Sequence, residues 1–222
     1  MITQPDNIAM NIIDILDLGV SPFKEVWDLQ KELVKKRQNG QINDTLILAE
    51  HEPVYTLGKN ADENHILQHP PREVKTYHIE RGGNVTFHGP GQLVGYPILD
   101  LHNYKKSISY YMRGLEQLII DTLAEFTVTA ERKDGLTGVW VGDEKIAALG
   151  VCVTRWITMH GFALNVTPDL TYYSGIIPCG IFEYGVTSMA KLLTDEVAVD
   201  SVKQVLIEKF MNQFQTAKSM IG

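Results

Sequence analysis

The spacing of apolar residues changes period several times along the chain. Phe23, Val26, Trp27, Leu33 and Val34 fall near one face of a helical wheel. Ser21 and Pro22 just before them read as a cap residue and a proline at the first helical position, and Asn39-Gly40 reads as the stop. Shorter β-like runs follow at residues 45–49 and 54–58, and residues 74–79 alternate apolar and polar as a half-buried strand would. A second helix is predicted over residues 108–126. Its stripe is Tyr111, Leu115, Leu118, Ile119 and Leu123, and its tyrosines and Met112 are expected in the core. Strands are predicted at residues 138–141, 145–154 and 159–166, a short helix at 185–193, and a last helix at 200–214 with Val202, Val205, Leu206 and Phe210 inward. Many strands with few helices, in no strict βαβ alternation, predict an α+β fold. It is expected to be a single domain over residues 1–222, a mixed and mostly antiparallel sheet flanked by helices. The first and last helices are expected to share one face of that sheet. No repeat, low-complexity segment or linker-like stretch breaks the pattern.

Composition narrows the function. With 222 residues and 44% hydrophobic content, the chain can bury one good core. The net charge is −7 and no basic stripe is visible, so nucleic acid is not an expected partner. Lys35, Lys36 and Arg37 end a predicted helix, where cations complement its dipole. No apolar run is long enough to span a bilayer and the first residues are polar, so a cytoplasmic protein with no membrane contact is expected. Two cysteines make no disulfide scaffold, and no CxxC or helical His pair suggests zinc; no metal and no cofactor are expected.

Four segments carry candidate chemistry. Cys179 lies in Gly175-Ile-Ile-Pro-Cys-Gly-Ile, where Pro178 fixes its own φ and Gly180 frees the backbone after the sulfur. That suits a thiol presented on a turn, a candidate nucleophile, although most free cysteines are small buried hydrophobes, as Cys152 in its apolar run is expected to be. Residues 81–92 concentrate Gly82, Gly83, Gly89 and Gly91 with Pro90, more than one turn needs, and read as a ligand loop in which Arg81 can fix an anionic or carbonyl group. Lys145 opens an apolar strand. A lone lysine there is usually a solvated hairpin end, but beside a thiolate it would shuttle protons. Gly161, Phe162 and Ala163 could wall an acyl slot or simply pack a sheet. His160 beside them could serve Cys179 as a base, though such a histidine is more often structural.

These segments resemble the lipoyl(octanoyl) transferases, within the fold shared with biotin and lipoate protein ligases. The resemblance rests on residues 81–101 (RGGNVTFHGPGQLVGYPILDL), 135–166 (GLTGVWVGDEKIAALGVCVTRWITMHGFALNV) and 168–188 (PDLTYYSGIIPCGIFEYGVTS). It implies transfer of an octanoyl group from acyl carrier protein to a lysine of lipoyl domains, those of 2-oxoacid dehydrogenases and the glycine cleavage H protein, as the first step of lipoate assembly. It implies Cys179 as the thioester-forming nucleophile and Lys145 as the acid and base. It implies substrate-binding positions at Arg81, Gly82, Gly83, Asn84, Val85, Thr86, Phe87, His88, Ala148, Leu149, Gly150, Gly161, Phe162 and Ala163; Ala148 stands where some members carry a serine. Docking of acidic carriers onto an acidic chain would need a local basic patch, for which Arg72, Lys75, Arg81, Lys133 and Arg155 are candidates. The rivals are an ATP-dependent lipoate or octanoate ligase of the same fold, an octanoyl amidotransferase, a non-catalytic carrier-binding module and a Cys–His hydrolase using His160.

Overall fold

The computed structural model describes residues 11–62, 65–67, 74–176 and 184–215. Within them the chain runs β1 (Ile13–Val20), α1 (Phe23–Gln38), β2 (Asp44–Glu50), β3 (Val54–Leu57), β4 (Lys75–His78), β5 (Val85–His88), β6 (Gln92–Ile98), α2 (Ile108–Ala124), β7 (Glu131–Lys133), β8 (Leu136–Val141), β9 (Glu144–Thr154), β10 (Ile157–Asn165), β11 (Gly185–Val186), α3 (Met189–Leu192) and α4 (Val199–Phe214). The large sheet has the order β1-β2-β6-β10-β9-β8-β7, with β11 added beside β9, and a small sheet has the order β4-β3-β5. The pairs β1–β2, β3–β4 and β9–β11 are parallel and the rest antiparallel. This is the expected α+β fold with a mixed, mostly antiparallel sheet.

The central strands are apolar at consecutive positions because both faces of the large sheet are covered. On β2, Ile47 packs with Val26 and Val34 of α1, while Leu46 and Leu48 pack with Leu115 and Leu118 of α2 and Leu206 of α4. The first and last helices therefore lie on opposite faces, not on one. The two-sided burial of the central strands requires cover on each face.

Several local details also differ. Ser21 does not cap α1: its hydroxyl donates to Leu18 O, and Pro22 is itself the cap residue. The Phe23 amide is satisfied by a carboxylate distant in sequence, Glu52 Oε2, at 3.1 Å. Strand β1 escapes the periodicity because Ile13 is its one buried residue and its other positions are exposed or half-exposed. Tyr110 is 58% exposed, whereas Tyr111 is buried. The segment expected as one helix at 185–193 is the short strand β11 followed by the single turn α3.

Sheet packing at the centre depends on two glycines. A Cβ on Gly161 of β10 would come within 2.2 Å of Gly95 O on β6, and one on Gly95 would strike the Phe162 ring at 2.2 Å. No side-chain rotation relieves a clash with backbone, so Gly161→Ala is expected to cost about 1–3 kcal/mol by overpacking. Denaturant unfolding measures it; an unchanged midpoint would show that the β6–β10 contact yields freely.

Candidate active site

A cavity of about 350 Å³ lies between the face of the large sheet on α1's side and the small sheet. All the expected substrate-binding residues line it except Gly82 and Phe87. Gly82 instead ties its loop to β9 through its amide and Val151 O at 3.0 Å. Phe87 points the other way, stacked on Tyr172 with centroids 4.6 Å apart, in a satellite core with Tyr55 and Val85.

Lys145 lines one end of the cavity. Its strand, β9, pairs with β8 along one edge through Trp140↔Lys145 and Val141↔Glu144. Along the other edge β10 follows β9 as far as Leu164↔Ala147, and there β11 takes over with Val186↔Lys145. The β8–β9 register slips by one between Val139↔Ala147 and Trp140↔Lys145, so β9 carries an extra residue beside the lysine. Such a bulge re-aims side chains. Here Ile146 and Ala147 both enter the core under α2 and α4, leaving Lys145 and Ala148 on the cavity. Gly138, at φ +135°, makes room for the lysine stem: a Cβ there would lie 3.1 Å from Lys145 Cε. The ammonium sits 4.7 Å from the Trp140 ring centroid, and Tyr184 meets the same ring edge-on at 5.2 Å. Cys179 lies outside the described residues.

The other end of the cavity is polar, with three imidazoles gathered near the buried Arg81 guanidinium. Arg81 is buried; its Nη2 donates to Thr56 O and Oγ1 at 2.7 and 3.0 Å, and its Nη1 to Gly82 O at 3.0 Å. These contacts brace the loop. His88 donates through Nδ1 to Gln92 Oε1 at 2.7 Å, an assignment forced because the Gln92 amide nitrogen donates elsewhere. Its Nε2 then faces the Thr56 hydroxyl at 3.4 Å. His51 donates through Nδ1 to Ser21 O at 2.8 Å, so its Nε2 accepts from Tyr96 OH at 2.7 Å. His160 holds the left-handed backbone region at φ +59°, which turns its amide to Gln30 Oε1 on α1 at 3.0 Å. Its Nε2 is buried 3.7 Å from Glu80 Oε2, beyond hydrogen-bond range. Burial, the largest influence, holds all three imidazoles below the usual histidine range, His88 at about 3.

The described candidates for a basic patch sit in different settings. Arg81 is interior, and Arg155 sits on the β9–β10 turn, at the end of β9 away from Lys145, about 30 Å along the strand. Lys133 is paired with Asp143 and lies over the Tyr184 ring. Lys75 is exposed on β4, and Arg72 lies outside the described residues. Sequence reading missed Phe23, Tyr96, Trp140, Tyr173 and Tyr184, which also line the cavity. As aromatic residues in apolar runs or beside the cysteine they carry no mark separating wall from core. It also missed Thr56, Gln92 and Asn165, for which the available signal was a polar residue within or ending an otherwise apolar strand. Among the described residues, no group of three or more His, Cys, Asp or Glu side chains is placed to hold a metal ion, and no helix is long and apolar enough to cross a membrane.

The architecture is that of the lipoate and biotin protein ligases. It superposes on a lipoate-protein ligase A bound with ATP with a TM-score of 0.71 over 90% of this chain and 84% of that one, at 16% identity. A biotin protein ligase from Aquifex aeolicus follows with a TM-score of 0.55 over 95% and 73%, at 13% identity. Residues 22–211 match the lipoyl protein ligase A/B catalytic domain, and the chain belongs to that family. It is 48% identical to an octanoyltransferase of Gloeobacter violaceus over 90% of this chain and 89% of the relative. It is 42% identical to a chloroplastic octanoyltransferase of Arabidopsis thaliana over 87% and 75%.

The neutral His88 makes stability depend on pH with a definite sign. Between about pH 6.5 and 3 the unfolded chain takes up a proton on this residue that the folded chain refuses, so stability is full above pH 6.5 and falls as pH drops. His88→Gln is expected to flatten the slope of unfolding free energy between pH 4 and 6 by up to about 1.4 kcal/mol per pH unit. Denaturant titrations across that range measure it; equal slopes would mean that His88 is protonated in the fold.

Proposed function

We propose that the chain is an acyltransferase of lipoate assembly. It moves an octanoyl group from acyl carrier protein to a lysine of lipoyl domains, through a thioester on Cys179, with Lys145 as acid and base. The observation that carries this is the placement of Lys145 at one end of a largely apolar cavity, on a strand held along both edges. Cys179 is three residues beyond Ile176 and five before Tyr184, and Tyr173 and Tyr184 on either side of its segment line the same cavity. The relatives named octanoyltransferase, at 42–48% identity over most of the chain, support the substrate class.

In the first half-reaction the Cys179 sulfur attacks the donor thioester carbonyl. The S–H proton passes to Lys145 and on to the departing carrier thiolate as the old C–S bond breaks. In the second, the acceptor lysine's neutral amine attacks the acyl-enzyme, and Lys145 moves its proton to the Cys179 thiolate as the amide forms. Thioester exchange is nearly neutral in energy and amide formation from a thioester is downhill, so neither half needs ATP. The thiol divides one difficult transfer into two easier ones. Burying six or seven methylenes of the acyl tail supplies about 5 kcal/mol, at ~0.8 each. The reading places the enzyme in the cytoplasm, with soluble carriers as partners and no cofactor.

Intact mass after mixing with octanoyl-acyl carrier protein tests the reading. Wild type is expected to gain an octanoyl adduct that hydroxylamine removes and a lipoyl domain accepts. Cys179→Ser is expected to show no hydroxylamine-labile adduct and no transfer, and Lys145→Ala to slow both halves by about 10²–10⁴-fold. Transfer that persists in Cys179→Ser, or that requires ATP and free octanoate, would overturn the assignment in favour of a ligase.

A further inference from the structure

Strand β10 separates from β9 after Leu164↔Ala147, yet the same edge of β9 is occupied again at Lys145 by β11. A hand-over of this kind leaves backbone groups without ladder partners, and something must join the two strands. A side chain makes this joint, beside one backbone bond a little further on, Ala190 N to Val166 O at 2.9 Å. Asn165, the last residue of β10, is 2% exposed, and its Nδ2 donates to Thr187 O at 2.9 Å. The Thr187 amide in turn donates to Lys145 O at 3.0 Å.

The other side of the Asn165 amide is equally committed. Its Oδ1 accepts from Gln92 Nε2 at 2.8 Å and lies 3.5 Å from the Tyr173 hydroxyl, which Gln92 Nε2 also meets at 3.2 Å. Gln92 is fully buried and receives His88 Nδ1 on its own Oε1. One carboxamide pair thus binds Thr187 downstream of residues 177–183 and Tyr173 upstream of them. We propose that Asn165, oriented by Gln92, is a positioning residue for the transfer reaction: by bridging β10 to Thr187 it fixes β11 against Lys145 and sets where the lysine stands. The inference rests on the octanoyl-transfer reading for its kinetic consequence and on geometry alone for its structural one.

Asn165→Asp and Asn165→Leu distinguish positioning from general structural damage. A buried aspartate is driven toward its protonated form, which can donate to Thr187 O; the ionised form cannot, and leucine never can. With octanoyl-acyl carrier protein and a lipoyl domain, Asn165→Asp is expected to lose at least tenfold in kcat at pH 8 with donor KM changed less than threefold. That deficit should shrink as pH is lowered to 6, whereas Asn165→Leu keeps its deficit throughout. Wild-type kcat in both variants, or one pH-independent deficit shared by both, would overturn the proposal. Should neither variant fold, Tyr173→Phe decides in their place, with a several-fold loss of kcat at unchanged melting temperature expected and full activity refuting. Amide exchange of residues 185–187 gives a readout that needs no turnover. Faster exchange in Asn165→Leu, or in Tyr173→Phe if that variant stands in, supports the joint even if wild type itself transfers no octanoyl group, and unchanged exchange sinks it.

Discussion

The site depends on β9 having a partner along both edges where Lys145 stands. A lysine at a strand end is ordinarily a mobile, solvated group, because its backbone frays and its four-carbon stem is free. Here β8 holds one edge and β11 the other, while a register slip turns the side chain toward the cavity. Gly138 clears space for the stem and Trp140 offers its face to the ammonium. Each of these fixes a different freedom: the backbone, the direction of the side chain and the position of the charge. Together they turn a flexible side chain into a group of defined location, as the proposed proton-transfer role would require.

The opposite end of the cavity solves a different problem. An acyl chain gains from an apolar wall and loses beside an unbalanced charge, yet Arg81, His51, His88 and His160 cluster there. The structure meets part of this need by giving several of these polar atoms protein partners. Two Arg81 nitrogens donate to Thr56 and Gly82, His51 lies between Ser21 and Tyr96, and His88 between Gln92 and Thr56. Burial keeps the imidazoles uncharged, so the three histidines add no charge beside the Arg81 guanidinium. His88 joins the two ends: through Gln92 and Asn165 its hydrogen bonds run on to Thr187 and so to the Lys145 backbone.

Much of this was legible in the sequence, and the misses have physical causes. Helices α1, α2 and α4 announced themselves through a period of 3.6, and β2, β9 and β10 through apolar runs, because burial dominates those stretches. Strand β1 did not, since backbone pairing with β2 holds it and its outward positions are free to be polar. The cap of α1 was misassigned because Glu52 is 29 residues from the amide it satisfies, a tertiary fact with no local mark. Lys145, Gly150 and Gly161 could be singled out by residue type and resemblance. Asn165 and Gln92 could not, because their meaning lies in the partners that folding brings, and a lone polar residue in a strand has many ordinary explanations. Phe87 fails in the opposite sense: it sits in the matching motif, but its ring stacks on Tyr172 in the satellite core while Thr86, its neighbour, lines the cavity.

The glycine-rich segment bears on which chemistry the shared fold performs here. A loop that cradles phosphates must keep several backbone N–H groups directed at the ligand. In residues 81–92 many are already engaged. Gly82 N donates to Val151 O, Val85 N to its neighbour's Asn84 Oδ1, Gly91 N to Glu50 Oε2 and Gln92 N to Gly89 O. Gly89 and Gly91 serve close packing instead: a Cβ on Gly91 would strike the Thr167 carbonyl at 2.6 Å, and one on Gly89 the Phe87 ring at 2.4 Å. A segment with these four donors already engaged suits a wall for an uncharged acyl chain better than a clamp for a triphosphate. An acyl group that arrives already activated as a thioester needs only such a wall, a nucleophile and a proton carrier.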